Sequence, residues 1–268
     1  MKIRPLSVYA VAYLAFLYVP VLFLPIFSFN DSAIVAFPLK GITTQWYDQL
    51  WNNDAMHGAL WNSIKVGTAS AVISTLLGIC GARALTRYTF RGKRGMTALI
   101  MLPLVLPEII VAVSLLVVLL QLGFSLSLVS VTLGHILMAI PFSIAVLSSS
   151  FEGFDRSLEE ASLDLGEGPA GTFFRVTLPI VAPGILSSLL ITFTISLDEF
   201  IVAFFLTGTE STLPIYIWSQ LRFTAKLPHV LALGSVLLLA SFVLLSVAEV
   251  LRQRAAKRVG TGVTGGFI

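Results

Sequence analysis

Gly153-Phe154-Asp155-Arg156-Ser157-Leu158-Glu159-Glu160-Ala161-Ser162-Leu163-Asp164-Leu165-Gly166 continues as Glu167-Gly168-Pro169-Ala170-Gly171-Thr172-Phe173-Phe174-Arg175-Val176-Thr177-Leu178-Pro179, a polar stretch set between two long apolar runs. Ser157 with Glu160 has the spacing of a capping box and predicts the start of a short helix. Gly166 and Gly168 can end that helix through positive φ. Thr172 predicts the opening of a second helical turn, which Pro179 stops before the next apolar run. The product is a helix–turn–helix outside the membrane whose Leu158, Leu163, Leu165, Phe173 and Phe174 need burial.

The rest of the chain places that stretch against a bilayer. Of 268 residues, 56% are hydrophobic and only 12% charged, with a mean hydropathy of +0.92. A soluble domain carries roughly 25% charge, so this composition points to a membrane protein. No stretch is polar enough to form a soluble domain. The pI near 9.1 raises the question of nucleic acid, but no basic stripe is interleaved with aromatics. Lys and Arg stand instead in short clusters between apolar runs, as the positive-inside rule requires. Membrane lipid is therefore an expected partner and nucleic acid is not. The single Cys80 allows no internal disulfide, and no Cys/His cluster has metal-ligand spacing.

A spanning helix needs roughly 20 mostly apolar residues. Six segments qualify, at about 7–29, 62–85, 97–122, 126–150, 182–206 and 229–251. The first is too long for the apolar core of a signal peptide and is expected to stay as a helix. With the N-terminus cytoplasmic, that side holds thirteen of the seventeen Lys and Arg; both termini are then cytoplasmic. Pro20, Pro25, Pro103, Pro107 and Pro141 interrupt the spans, and Pro183 with Gly184 is expected to begin the fifth. In the outer loop 30–61, Trp46, Tyr47, Leu50 and Trp51 share one helical face, as in an interfacial amphipathic helix; Trp46 is also a candidate substrate-facing residue. Residues 1–258 are expected to form one transmembrane domain, with a flexible tail at 259–268.

Glu160-Ala161-Ser162, Gly166 and then Val176-Thr177-Leu178-Pro179 resemble the Glu-Ala-Ala loop of binding-protein-dependent ABC importer permeases. Ser162 stands for Ala and Val176 for Ile. The resemblance implies the type I importer fold, with six transmembrane helices and a cytoplasmic coupling loop at 153–183. It marks Glu160, Ala161, Ser162, Gly166, Leu178 and Pro179 as ATPase-coupling residues. It also implies the partners: a second homologous permease, an ATPase dimer and a periplasmic binding protein, all at a bacterial inner membrane. No Gly-x-x-x-x-Gly-Lys-Ser/Thr loop occurs. ATP and Mg²⁺ then belong to the partner ATPase, and this chain is a pore subunit without cofactor or catalytic residues.

The resemblance runs over nearly the whole chain to the second permease of spermidine/putrescine importers. It is carried by Ser28-Phe29-Asn30-Asp31-Ser32, Thr44-Gln45-Trp46-Tyr47, Tyr88-Thr89-Phe90-Arg91-Gly92-Lys93, Leu106-Pro107-Glu108-Ile109 and Ser196-Leu197-Asp198-Glu199-Phe200. The residues themselves agree with a cationic cargo. Asp198 and Glu199 fall near the middle of the expected fifth span, where an ionised carboxylate costs at least ~2.5 kcal/mol. Glu108 is a third acid at depth. Ser196 joins them as a candidate of the substrate pathway, whereas His135 is expected to be an interhelical hydrogen-bonder. An anionic cargo would call for Lys or Arg in the spans, which their cores lack; another amino compound stays open. A stand-alone ion-coupled carrier predicts an inverted repeat, and none is visible. An intramembrane enzyme predicts a His-Glu-x-x-His or Gly-x-Ser-x-Gly element, and neither occurs.

Overall fold

Backbone groups facing hydrocarbon have no water to bond, so a chain this apolar must satisfy them within helices. The computed structural model describes residues 5–258; the tail expected to be flexible at 259–268 lies outside the described residues. Along the chain run α1 (Pro5–Ser28), α2 (Gln45–Trp51), α3 (Asp54–Arg87), α4 (Lys93–Val105), α5 (Glu108–Gln121) and α6 (Leu128–Glu152). They are followed by α7 (Arg156–Asp164), α8 (Pro169–Thr172), a π-turn (Phe173–Thr177), α9 (Leu178–Asp198) and α10 (Ile201–Leu206). α11 (Leu213–Leu221), a 3₁₀ turn (Thr224–Lys226) and α12 (Leu227–Arg258) complete it. Among the described residues, extended pairing is confined to a bridge between Asn30 and Ile42.

Among the described residues, five helices are long and apolar enough to cross a membrane, or six if α4 and α5 together make one broken span. Two expected spans are corrected. The segment at 97–122 is two helices bent by 108°. Leu106 before Pro107 is extended, with ψ 144; the proline ring disfavours helical geometry in the residue ahead of it. The fifth span, expected at 182–206, starts earlier and stops sooner: one helical run covers Pro169–Asp198, and α10 follows after a break. Pro183 lies inside α9 rather than at its start.

The chain forms two compact units. One is built from its two ends, through Asn53 and from Ile217, and the other from Asp54–Tyr216. In the first, α1 packs on α12, as does α2. In the second, α3, α6 and α9 pack on one another, and small hydroxyl residues join them. Ser188 of α9 bonds Thr75 of α3 at 3.0 Å and Ser143 of α6 at 2.8 Å, all three fully buried. Small residues let helices approach, and hydroxyl bonds hold them where lipid offers no hydrophobic gain. Gly78 is required for that approach, since a Cβ there would lie 1.9 Å from Ser143 Oγ. Towards the other end, Val66, Val111, Ala112, Val131, Val202 and Leu206 form an apolar cluster tying α5 and α10 to α3 and α6.

Candidate functional site

Two places in the second unit carry polar chemistry: the segment around α7, and the breaks that flank α5 and α10.

α7 starts at Arg156, and the expected Ser157–Glu160 capping box is corrected. Asp155 is the cap, accepting from the Ser157 N–H at 2.9 Å. A carboxylate two residues earlier is a strong acceptor for the free N–H groups of a helix start. The same bond holds the Asp155 carboxyl below the usual carboxylate range. Gly166 ends α7 with φ +90, the left-handed conformation that glycine adopts without strain. Gly168 does not share that role: it is extended, with φ −75 and ψ 162, ahead of Pro169 at the start of α8. Thr172 closes α8 instead of opening a turn, and Pro179 does not stop the helix. Leu178 N bonds Phe173 O across the wider π spacing, and Pro179 falls in the following first turn, where a missing N–H costs little.

The apolar residues expected to need burial find little of it within this chain. Leu158, Leu163, Leu165 and Phe174 are 47%, 44%, 88% and 63% exposed, while Phe173 is half-buried beneath Arg83, whose guanidinium carbon is 4.4 Å from the ring centre. Glu160 and Ala161 face outward; Ser162 turns inward and meets the Thr172 hydroxyl at 3.0 Å. Leu178 is half-buried and Pro179 exposed. Glu159 is the residue that sequence reasoning passed over. Its carboxylate accepts from the Thr177 hydroxyl at 2.6 Å and lies 3.3 Å from Arg87 Nε at the end of α3. Arg87 also donates to the Phe154 carbonyl at 3.3 Å and covers the Phe154 ring. From sequence Arg87 is one of the thirteen cytoplasmic Lys and Arg; its place in the last turn of α3 is the available signal.

At the second place, the expectation that Asp198 and Glu199 sit mid-helix is corrected. Asp198 is the last residue of α9 and Glu199 is extended, with ψ 110, so their relative direction is not set by helical pitch. No Gly or Pro marks this break. Glu199 Oε1 accepts from Val202 N at 3.0 Å, which compensates one of the backbone donors that the interruption leaves unbonded. Asp198 is exposed and Glu199 half-buried. The break at Leu106-Pro107 is a neighbour: α5 packs on α10, and exposed Glu108, first residue of α5, lies within electrostatic range of Glu199. Ser196 is 4% exposed, and its hydroxyl meets His135 Nδ1 at 2.6 Å. His135 is thus the interhelical hydrogen-bonder expected from sequence. Among the described residues no group of His, Cys, Asp and Glu could hold a metal ion.

Trp46 belongs to the first unit. Its indole N–H donates to the Asn30 carbonyl at 2.9 Å, its ring meets the edge of His229, and Leu50 beside it is buried. Trp51, by contrast, is 78% exposed.

Residues 74–257 match the family described as the binding-protein-dependent transport system inner membrane component. The chain belongs to that family. As a transport permease of this family it is a multi-pass inner-membrane pore subunit, and membership implies a binding protein and an ATPase in the working system. The permease is 36% identical over 251 residues to the putrescine transport system permease protein PotI of Escherichia coli K12, covering 91% of this chain and 89% of the relative. It is 34% identical to the spermidine/putrescine transport system permease protein PotC of the same strain, covering 91% and 92%. It shares its fold, at a TM-score of 0.70, 17% identity and coverage of 92% and 94%, with a chain of a bacterial ABC transporter involved in the import of the acidic polysaccharide alginate.

Proposed function

We propose that this permease pairs with a second, homologous permease and two copies of a separate ATPase, and takes up putrescine- or spermidine-like cations delivered by a periplasmic binding protein. The observation that carries the cargo is the gathering of Glu108, Asp198 and Glu199 at two adjoining helix breaks. Interrupted backbone at membrane depth is tolerated where it is buried in protein or lines a watered cavity, and ionised groups there face a cavity or a partner. α5, α6, α9 and α10 contain no Lys or Arg, so these acids have no cationic partner on those helices. A di- or triamine supplies one. Relatives whose names specify putrescine and spermidine transport support the same reading.

In this reading both termini are cytoplasmic, α4 and α5 form one of six spans, and α7 is the coupling helix. The uncovered Leu158 and Leu163 of α7, with Leu165 just past its end and Phe174 of the π-turn, enter a cleft of the ATPase, with Glu160 and Ala161 on the docking surface and Gly166 fixing the turn. ATP and Mg²⁺ are held by the ATPase; this chain holds no cofactor. ATP-driven closure rocks the paired permeases between inward- and outward-open states, and cargo crosses between them. Asp198, Glu199 and Glu108 receive its ammonium groups, with Ser196 and Trp46 along the path. Calorimetry on the binding protein encoded beside this permease tests the cargo: micromolar or tighter binding of putrescine or spermidine is expected, and binding of neither overturns the cargo assignment.

A further inference from the structure

α7 is unusual in how it is held. None of its residues is buried, and its large apolar residues, Leu158 and Leu163, are 47% and 44% exposed. Its attachments to the unit are polar: Ser162 to Thr172 at 3.0 Å, and above all Glu159. A cavity of about 280 Å³ opens beside Glu159, lined in part by Arg83, Tyr88, Arg156 and Leu163, so apolar packing does not press α7 onto α3. The side chains of Arg87 and Glu159 are only 10% and 15% exposed.

We propose that the Glu159–Arg87 ion pair, with the Thr177 hydroxyl as its third member, is the link that carries a displacement of α7 into the pore helices. Glu159 is then a positioning residue of the transport cycle, distinct in role from the outward-facing Glu160. One arm of the link reaches Arg87, the end of the 34-residue α3, against which α6 and α9 pack. The other reaches Thr177 in the π-turn at the head of α9, whose far end is Asp198. A π-turn has a looser hydrogen-bond spacing than the α-helix it joins and is a natural place for a helix to yield. Arg87 also bonds the carbonyl of Phe154, in the linker between α6 and α7, so one guanidinium gathers the approach to α7 and α7 itself. A pair this covered is weakly screened, and loss of either partner leaves an uncompensated charge.

The inference rests on α7 being the ATPase-docking helix, and the test separates the two. The whole complex, with both permeases, ATPase and binding protein, is reconstituted in proteoliposomes. Putrescine and spermidine uptake and ATP hydrolysis are measured for Glu159→Gln, Arg87→Met and the double variant. Breaking the link should lower molecules carried per ATP about tenfold in each single variant. The double variant should lose no more than either single, because groups acting as one pair are non-additive. The double variant leaves no lone buried charge, which keeps it a fair test if a single variant assembles poorly. Unchanged transport per ATP in the single variants, losses that multiply in the double, or a fall only in melting temperature and yield would each overturn the proposal. Leu165→Asp is the control for docking: if it abolishes uptake while Glu159→Gln does not, the link alone fails. If Leu165→Asp is silent, the docking reading fails with it.

Discussion

The α7 segment and the break at Asp198-Glu199 both set charge beside apolar helices, and they solve the problem oppositely. Around α7 one charged pair turns inward, Glu159 with Arg87 and the Thr177 hydroxyl, while Glu160 and Asp164 stay exposed. The apolar side chains turn outward, led by Leu165 at 88% exposure. At the break the apolar side chains turn inward, with Val202, Ala203 and Leu206 buried, while Asp198 is exposed. An exposed apolar face outside a membrane is a liability unless a protein covers it. An exposed carboxylate inside one is a liability unless water or a cation meets it. In the proposed reading the first region meets a protein and the second a charged small molecule.

That contrast can be broken at either end. Gly166→Val forces a β-branched residue into φ +90, a conformation that costs of order 1–3 kcal/mol, and should cut uptake roughly 10- to 100-fold by misplacing α7. Equal ATPase co-purification and uptake in the variant would mean that the turn does not set a docking geometry. Asp198→Asn keeps the shape and removes the charge. It should raise the KM for polyamine uptake about tenfold with ATPase assembly intact, the loss of roughly one charge-assisted contact; unaltered kinetics would retire Asp198 as a cargo contact. The smallest effect on uptake is expected where neither region lies, in the frame that supports both. Gly78→Ala must displace Ser143 from Ser188 and should cost about 1–3 kcal/mol of stability, visible as a lower melting temperature in detergent with the KM unmoved.

Much of the first region was legible from residue order. The Glu160-to-Pro179 spacing marked the segment, and Gly166 at the end of α7 has the positive φ expected of it. The errors there were local. Asp155 caps a helix that Ser157 was expected to cap, and Pro179 sits harmlessly after a π-turn whose hydrogen-bond spacing no residue type announces. At the second region the acids were visible but their setting was not. On either side of the two acids the run from Ile185 to Leu206 stays largely apolar, with no Gly or Pro at 197–201, so a single helix was the natural expectation. The proline at 107 was seen as a bend, but whether a proline bends a helix or divides it by 108° depends on what packs around the freed carbonyls.

Residue order alone shows a multi-pass helical membrane protein and its family, because bilayer thickness sets span length and the Glu160-to-Pro179 motif lies within one continuous stretch. It also showed which carboxylates were out of place in hydrocarbon. What the folded chain adds is that α5, begun by Glu108, packs on α10, which follows Glu199, that Ser196 is turned to His135, and that Glu159 meets Arg87 across 72 residues of chain. These are contacts between elements far apart in sequence, fixed by where Gly78, Ser143 and Ser188 let three helices close on one another, and no local pattern encodes that approach.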